Sequence, residues 1–354
     1  MKIGIAINGE GRGHFSRARA LAEVLAERHE VSFWVPSHLS GELTGYFPTA
    51  KIHSIPCLRF VQKGFSIRYL KTISINAGKV LFPYYIHAQI ARDLRDSGID
   101  AIISDFEPFT SKAAKIIGIP VLQLNHPGVV VRSFSLNPAA LISQIVALYM
   151  MQNSDRRIFC SFFDGDVGPI VRSELRTKSV SRGDYYVVYQ KSLYAEILSP
   201  ILSAVGRKHF KVFPHPKADY AEALAGCRGL IAPAGHQSIS EALALGKPVL
   251  AIPVKGQYEQ ELNARKLRTS GFGDFAHAEK LPTALPAFIA SIETYEHALA
   301  MRNLVGEKLT KRGWSCADET IRAVGMIENF LLDSKIHPEW KRKAFFAPAL
   351  LELR

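Results

Sequence analysis

Two groups of residues have the types and spacing to do chemistry. The first is Gly9-Glu10-Gly11-Arg12-Gly13-His14, which follows the apolar run Ile3-Gly4-Ile5-Ala6-Ile7. Glycines let a backbone come close to a ligand. A histidine, with a reference pKa near ~6.5, can take up a proton at neutral pH. The second is Ala234-Gly235-His236-Gln237-Ser238-Ile239-Ser240-Glu241-Ala242-Leu243, which continues through Gly246-Lys247-Pro248 to Gln257-Tyr258-Glu259-Gln260 and Asn263-Ala264. Here a strand at residues 230–232 runs into a small-residue turn, and a helix is expected to open near Gln237. The free N–H groups and positive dipole end of such a helix suit a phosphate. Ser238 adds a hydroxyl donor, and Glu241, one turn on, suits a ribose diol. Any strand–glycine–helix junction looks like Gly235–Ser238 locally, so the longer string carries the weight.

The elements that must position these residues alternate. Leu21, Val24 and Leu25 recur at helical spacing in a helix expected over 16–28. Strands are expected at 31–35, at 101–104 ending in Asp105, and at 119–124, with a helix from Thr110 between the last two. After Asp164-Gly165-Asp166-Val167-Gly168-Pro169, which reads as a linker, further strands fall at 185–189, 230–232 and 249–252. Strands alternating with helices predict an α/β protein with parallel sheets covered on both faces. Ligands of such sheets bind at the carboxyl ends of the strands. The site is therefore expected in a cleft between two Rossmann-like domains, residues 1–165 and 166–330, followed by a tail at 331–354.

Composition bounds the function. With 354 residues, 47% hydrophobic and 21% charged, the chain is neither disordered nor fibrous. Its net charge of +12 favours an anionic partner: nucleic acid, a phosphorylated small molecule or an acidic membrane face. Cys57, Cys160, Cys227 and Cys316 form no CxxC pair, so neither a zinc site nor a disulfide framework is expected, and a reducing cytosol fits. The start of the chain reads as a buried strand rather than a signal peptide. The apolar stretch at 139–151 is shorter than a membrane span.

The Ala234–Ala264 string resembles the donor-nucleotide signature of GT-B glycosyltransferases, the group that holds UDP-glycosyltransferases, the lipid II-forming N-acetylglucosaminyltransferase and antibiotic glycosyltransferases. Ala234 departs from it, standing where the family usually has glycine. The resemblance implies that Gly235, His236 and Ser238 hold the diphosphate, Glu241 the ribose, and Glu259 with Gln260 the sugar hydroxyls. It implies that Gly11 and Gly13 belong to an N-terminal loop ending in a catalytic base, His14, oriented by Asp105; the plainer reading has Asp105 capping the next helix, and Glu107 is the reserve. Ser192 is placed near the donor phosphate and Phe213 near the nucleobase, although a solvent loop and a core residue explain them as well. His126, after an N-terminal strand, is a candidate to line the acceptor side, although a loop histidine with no role is the stronger reading. The reaction implied is inverting transfer from a nucleotide sugar, most simply a UDP-sugar, to a hydroxyl, with no cofactor and no obligatory metal. A NAD enzyme is disfavoured, because G-x-G-x-x-G spacing and an acidic residue after the second strand are both lacking. A UDP-sugar 2-epimerase of the same fold would not use Gln260 and Asn263 in this context. A non-catalytic relative would not need His14, Asp105, Glu241 and Gln260 together.

Between Leu43 and Arg92 there is no Asp or Glu. Lys51, Arg59, Lys63, Arg68, Lys71, Lys79 and Arg92 alternate there with Tyr46, Phe47, Phe60, Phe65, Tyr69, Phe82, Tyr84 and Tyr85. Basic residues mixed with aromatics suit an anionic membrane interface, and equally single-stranded nucleic acid. In GT-B enzymes this region commonly forms the acceptor site. A cytoplasmic protein, peripheral on the inner face of the membrane with a lipid acceptor, is therefore expected, and nucleic acid is the weaker choice. Trp340-Lys341-Arg342-Lys343-Ala344-Phe345-Phe346 repeats the theme, and the resemblance implies a C-terminal helix crossing back to the first domain.

Overall fold

The computed structural model describes residues 1–63, 66–133, 135–190, 192–305 and 313–336. The first half contains β1 (Lys2–Ile7), α1 (Arg12–Leu25), β2 (Glu30–Pro36), α2 (Ser37–Tyr46) and β3 (Ile52–Ile55). A small hairpin, β4 (Gln62–Lys63) and β5 (Ser66–Ile67), leads to α3 (Tyr69–Leu81) and α4 (Tyr84–Asp96). β6 (Ala101–Asp105), α5 (Pro108–Ile116), β7 (Val121–Asn125), α6 (Pro138–Met150) and β8 (Arg156–Phe159) follow. The six long strands pair in parallel in the order β3-β2-β1-β6-β7-β8.

Alternation along β1 sorts the cores. Ile3, Ile5 and Ile7 point to the face covered by Phe15, Leu21 and Leu25 of α1. Ala6 lies on the opposite face with Trp34 of β2, Leu94 of α4 and Phe109 of α5. Gly4 shares that second face, where a Cβ would come within 2.4 Å of Ile102 Cδ1.

The second half contains α7 (Ser173–Arg176), β9 (Tyr186–Tyr189), α8 (Ser192–Val205), β10 (Phe210–Phe213), α9 (Tyr220–Gly226), β11 (Gly229–Pro233) and α10 (His236–Ala244). β12 (Val249–Ile252), α11 (Tyr258–Ser270), β13 (Gly273–Phe275), α12 (Leu281–Ala290) and α13 (Ile292–Val305) complete its sheet and cover. Its strands are also all parallel, ordered β10-β9-β11-β12-β13. The chain then returns. α14 (Thr320–Ile336) places Ala323, Val324, Ile327, Phe330 and Leu331 in the core beneath β1 and α1, so the last helix belongs by packing to the first sheet. The basic–aromatic string at 340–346 lies outside the described residues.

The linker is held rather than loose. Arg132 donates to Asp164 O and to both Asp166 carboxylate oxygens, and Lys266 donates to Asp164 Oδ2. Glu319 accepts from Gly168 N across the return crossing. Asp164 and Asp166, the two acidic residues spaced one apart here, are thus each matched by a cation. Each sheet reverses its order at one point, between β1 and β6 and between β9 and β11. These are the crevices where doubly wound sheets take ligands.

Candidate active site

The register Ile7↔Asp105 sets the end of β1 beside the end of β6, and Asn8 N donates to Asp105 O at 3.2 Å. α1 was expected to begin at Ser16. It begins at Arg12, so His14 sits in its first turn rather than in the loop before it. The expected signal is missing because Gly11, at φ 85°, enters the helix with no side-chain cap.

His14 Nδ1 lies 2.7 Å from Asp105 Oδ1. A carboxylate only accepts, so Nδ1 carries the proton and Nε2 is left as the basic nitrogen. Arg17, one turn further along α1, donates through Nε to Asp105 Oδ2 at 2.8 Å and through Nη2 to Oδ1 at 2.7 Å. Burial pushes the Asp105 carboxyl up, but Arg17 and His14 outweigh it and hold its pKa below the usual range. Asp105 therefore stays ionised and aims His14. The capping reading of Asp105 does not hold: Glu107 caps α5, accepting from Phe109 N at 2.8 Å and Thr110 N at 2.7 Å. That also removes Glu107 as a reserve base. Phe106, between them, has φ 58°, a strained value for a non-glycine residue, and stacks at 7° to the His14 ring.

Across from His14, β11 ends at Pro233 and α10 opens at His236. Gly235 is its N-cap without any side-chain cap, and a Cβ there would meet nothing within 4 Å. The first N–H groups of α10 and the space before them are thus left for a ligand. Gly13 is close-packed instead: its Cβ would stand 3.3 Å from Gln237 Cβ, which brings the openings of α1 and α10 together. His14, Gly235, His236, Ser238, Glu241, Glu259 and Gln260 all line one cleft of about 400 Å³. Gly13, Arg12, Arg17 and Arg172 line it too, as does a wall of Tyr189, Phe213, Pro214 and Tyr220. Among the described residues no group of three or more His, Cys, Asp or Glu is placed to hold a metal.

Several of these side chains are already engaged. The His236 ring is 5% exposed, and its Nε2 lies 2.9 Å from Ser240 Oγ, while Nδ1 is buried with no partner. It stacks on His126 with centroids 3.6 Å apart. Burial first, then His126, pushes its pKa well below the usual value, so it is neutral. What it offers an anion is its backbone N–H. His126 contacts Asn263 Oδ1 at 2.9 Å, and Asn263 donates to Ala234 O, so this pair pins the first half to the second. Asn263 is fully buried and acts as that pin rather than facing a sugar. Burial lowers His126 to about 3. Gln260 Oε1 accepts from Val254 N, which fixes the turn before α11 and leaves its amide N–H groups. Burial raises the pKa of Glu259 against the opposing pull of His14 and Arg17.

Glu241 is not free to clamp a diol. Arg172 donates to Oε1 through Nε and to Oε2 through Nη2, both at 2.8 Å, and Gln237 donates to Oε1 at 2.9 Å. Phe213 is a core residue, 2% exposed, whose ring meets Tyr220 edge-on at 5.4 Å and reaches the cleft only as part of its wall. Ser192 is the first residue of α8, but its side chain lies outside those described. Gly11 lies on the turn that leads to Arg12 and shows no close neighbour. Arg17, Arg172 and Phe106 carry no signal in the sequence; only the gathering of distant segments shows them.

The model of glycosyl transferase family 1 matches residues 1–217 and 206–293. An uncharacterized glycosyltransferase from Methanosarcina mazei is 25% identical over 331 residues, covering 77% of this chain and 85% of its own. One from Methanosarcina acetivorans is 27% identical over 327 residues with the same coverage. Among solved structures, MurG of Acinetobacter baumannii aligns with TM-score 0.61 at 15% identity, over 93% of this chain and 99% of that one. UGT2 of Phytolacca americana, complexed with UDP-2-fluoro-glucose and pterostilbene, aligns with TM-score 0.64 at 14% identity, over 93% and 98%. The two parallel sheets facing one cleft are thus the GT-B arrangement, and the chain belongs to glycosyl transferase family 1 as a glycosyltransferase.

Proposed function

We propose that this glycosyltransferase moves a sugar from a UDP-sugar to the hydroxyl of a lipid or membrane-associated acceptor, with inversion. The observation that carries the reading is the His14–Asp105 pair facing the uncapped start of α10 across one cleft. His14 Nε2 takes the proton from the acceptor hydroxyl, whose oxygen attacks the anomeric carbon in line. The bond from that carbon to the diphosphate breaks, and UDP leaves toward the N–H groups of His236 and Ser238, beside Gly235, whose own N–H donates to Pro233 O. These donors are fixed before the charge develops, which is the efficient way to stabilise it. Arg12 and Arg172 also line the cleft, each forked to a carboxylate, Glu42 and Glu241 respectively. Glu259 and the Gln260 amide receive the sugar hydroxyls. The Phytolacca structure with a UDP-sugar analogue supports UDP as the donor nucleotide.

The acceptor reading is supported by the surface between Leu43 and Arg92. Leu70 is 86% exposed, Phe82 77% and Tyr85 82%, an apolar strip along α3 into α4. Arg59, Arg68, Lys71 and Arg92 are exposed in the same segment. α6 exposes Leu141, Ile142 and Ile145 as well. Apolar side chains with basic neighbours suit an anionic bilayer surface, at ~1 kcal/mol per nearby basic group.

One experiment tests both halves of the mechanism. UDP release with membrane lipid extract and UDP-sugars is measured for wild type, His14→Ala and Gly235→Val, with UDP affinity measured by calorimetry. His14→Ala is expected to lose about 10²- to 10⁴-fold in turnover while binding UDP as well as wild type. In Gly235→Val the added Cβ has no protein atom within 4 Å, so the variant is expected to stay folded and to lose UDP affinity. Unchanged turnover in His14→Ala would remove the mechanism, and unchanged affinity in Gly235→Val would remove the donor site.

A further inference from the structure

Glu241 carries a constraint that comes from this chain's own Arg172. An ionised carboxylate has about four acceptor positions, two on each oxygen. Two on Oε1 are taken, by Arg172 Nε and Gln237 Nε2, and one on Oε2 is taken by Arg172 Nη2. Among the described residues a single acceptor position remains, on Oε2. Holding a ribose by both hydroxyls at this carboxylate needs two.

The Arg172 fork is not readily opened. The pairing is bidentate and planar, the strongest form of charge-assisted hydrogen bond. Glu241 is 2% exposed, and removing its cation would leave a buried charge alone. Burial disfavours the charge on Arg172, yet Glu241 outweighs it and holds the guanidinium ionised. Arg172 is also fixed from behind: it stands between the linker and α7, and its guanidinium lies 5.8 Å from the centre of the Tyr220 ring. Three of its five N–H groups are not used on Glu241. They sit on a cleft-lining residue, where they can donate to an anion.

We propose that Arg172 makes Glu241 a one-hydroxyl acceptor, so that the site takes ribonucleoside and one class of deoxyribonucleoside diphosphate with nearly equal affinity. This rests on the donor-site reading above. A hydroxyl donating to a charged acceptor is the kind of contact whose loss weakens binding by about tenfold or more. A carboxylate that reads only one hydroxyl imposes that loss for one deoxy analogue and not for the other. Arg172 is thus a specificity-determining residue, acting through Glu241.

The test is calorimetric titration of the full chain with UDP, 2′-deoxy-UDP and 3′-deoxy-UDP. One deoxy analogue is expected within about threefold of UDP, and the other about tenfold weaker or more. In Arg172→Gln, Glu241 regains the two acceptor positions that Arg172 held, one on each oxygen, so both hydroxyls are read and the tolerated analogue is expected to fall about tenfold behind UDP. Losses of tenfold for both analogues in wild type would overturn the proposal, because two hydroxyls are then read. Parity of all three nucleotides would overturn it equally, since none is then read. The wild-type comparison decides the matter even where Arg172→Gln fails to fold. Absence of UDP binding, or UDP affinity unaltered in Glu241→Gln, would instead sink the donor-site reading itself.

Discussion

Arg17 is the residue on which the orientation of His14 most depends, and it was invisible in the sequence. It stands one helical turn from His14, while the carboxylate it forks comes from β6, 88 residues away. Its charge keeps Asp105 ionised inside the protein. The folded pKa of Asp105 lies below its unfolded value of ~3.9. Its contribution to stability is therefore complete above about pH 4 and is lost as pH falls through the folded value. Arg17→Met leaves a buried carboxylate with only His14 beside it. A loss of about 3–5 kcal/mol in urea unfolding at pH 7 is expected, with the acid-induced transition moved to higher pH. A variant as stable as wild type in both would contradict the buried-pair account. His14, Glu241 and Gln260 were legible as residue types at revealing spacings. The partners that fix their protonation and orientation were not, since Arg17–Asp105 and Arg172–Glu241 exist only once strand order is set.

At the scale of the element, the helix starts carry most of the information. α5 is capped by Glu107, whereas α10 opens into the cleft with no side-chain cap, and it is that opening into the cleft that leaves its end to a ligand. Capping fixes the position of Glu107, and burial decides its titration. Burial lifts its pKa to about 7, against the pull of the two backbone N–H groups it accepts from. An acid raised in the folded state favours folding below its unfolded value of ~4.3, and that advantage drains away as pH climbs to about 7. Glu107→Gln does not titrate. Its deficit in unfolding free energy relative to wild type is expected to shrink by up to about 3 kcal/mol between pH 5 and pH 8. A deficit constant across that range would show that Glu107 is ionised throughout. The strands at 101–105 and 249–252 were readable because unbroken apolar runs bounded by turns mark a doubly covered sheet. The start of α1 was misplaced by four residues, since a glycine entry leaves no side-chain signal.

Over the whole molecule, the fold leaves the apolar strip of α3 and α4 exposed. Leu70 and Phe82 lie outside every core and beside the exposed basic residues of the acid-free segment. Wild type is expected to sediment with phosphatidylglycerol vesicles at low salt and far less in 0.5 M salt or with neutral vesicles. Leu70→Glu with Phe82→Glu is expected to reduce that binding at least tenfold with an unchanged melting temperature, because both side chains are mostly in water. Equal sedimentation of wild type and variant would remove the membrane surface from the functional reading. No helix among the described residues is long and apolar enough to cross a membrane.

By itself the sequence determined the α/β class, the two parallel sheets, and which strand–helix junctions carry Gly11, Gly13, His14, Gly235 and His236. These follow from local patterns: unbroken apolar strands, and helices entered through glycine. The resemblance implied a C-terminal helix that crosses back, and α14 packs under the first sheet. Tertiary structure alone decided which of its side chains enter that core, that His126 and Asn263 pin the halves together, and that Arg172 occupies Glu241. Each of those joins residues far apart in the chain, and the reason they escape local reading is physical. A buried charge is satisfied by whichever partner the packing brings to it, not by the neighbours that spacing provides.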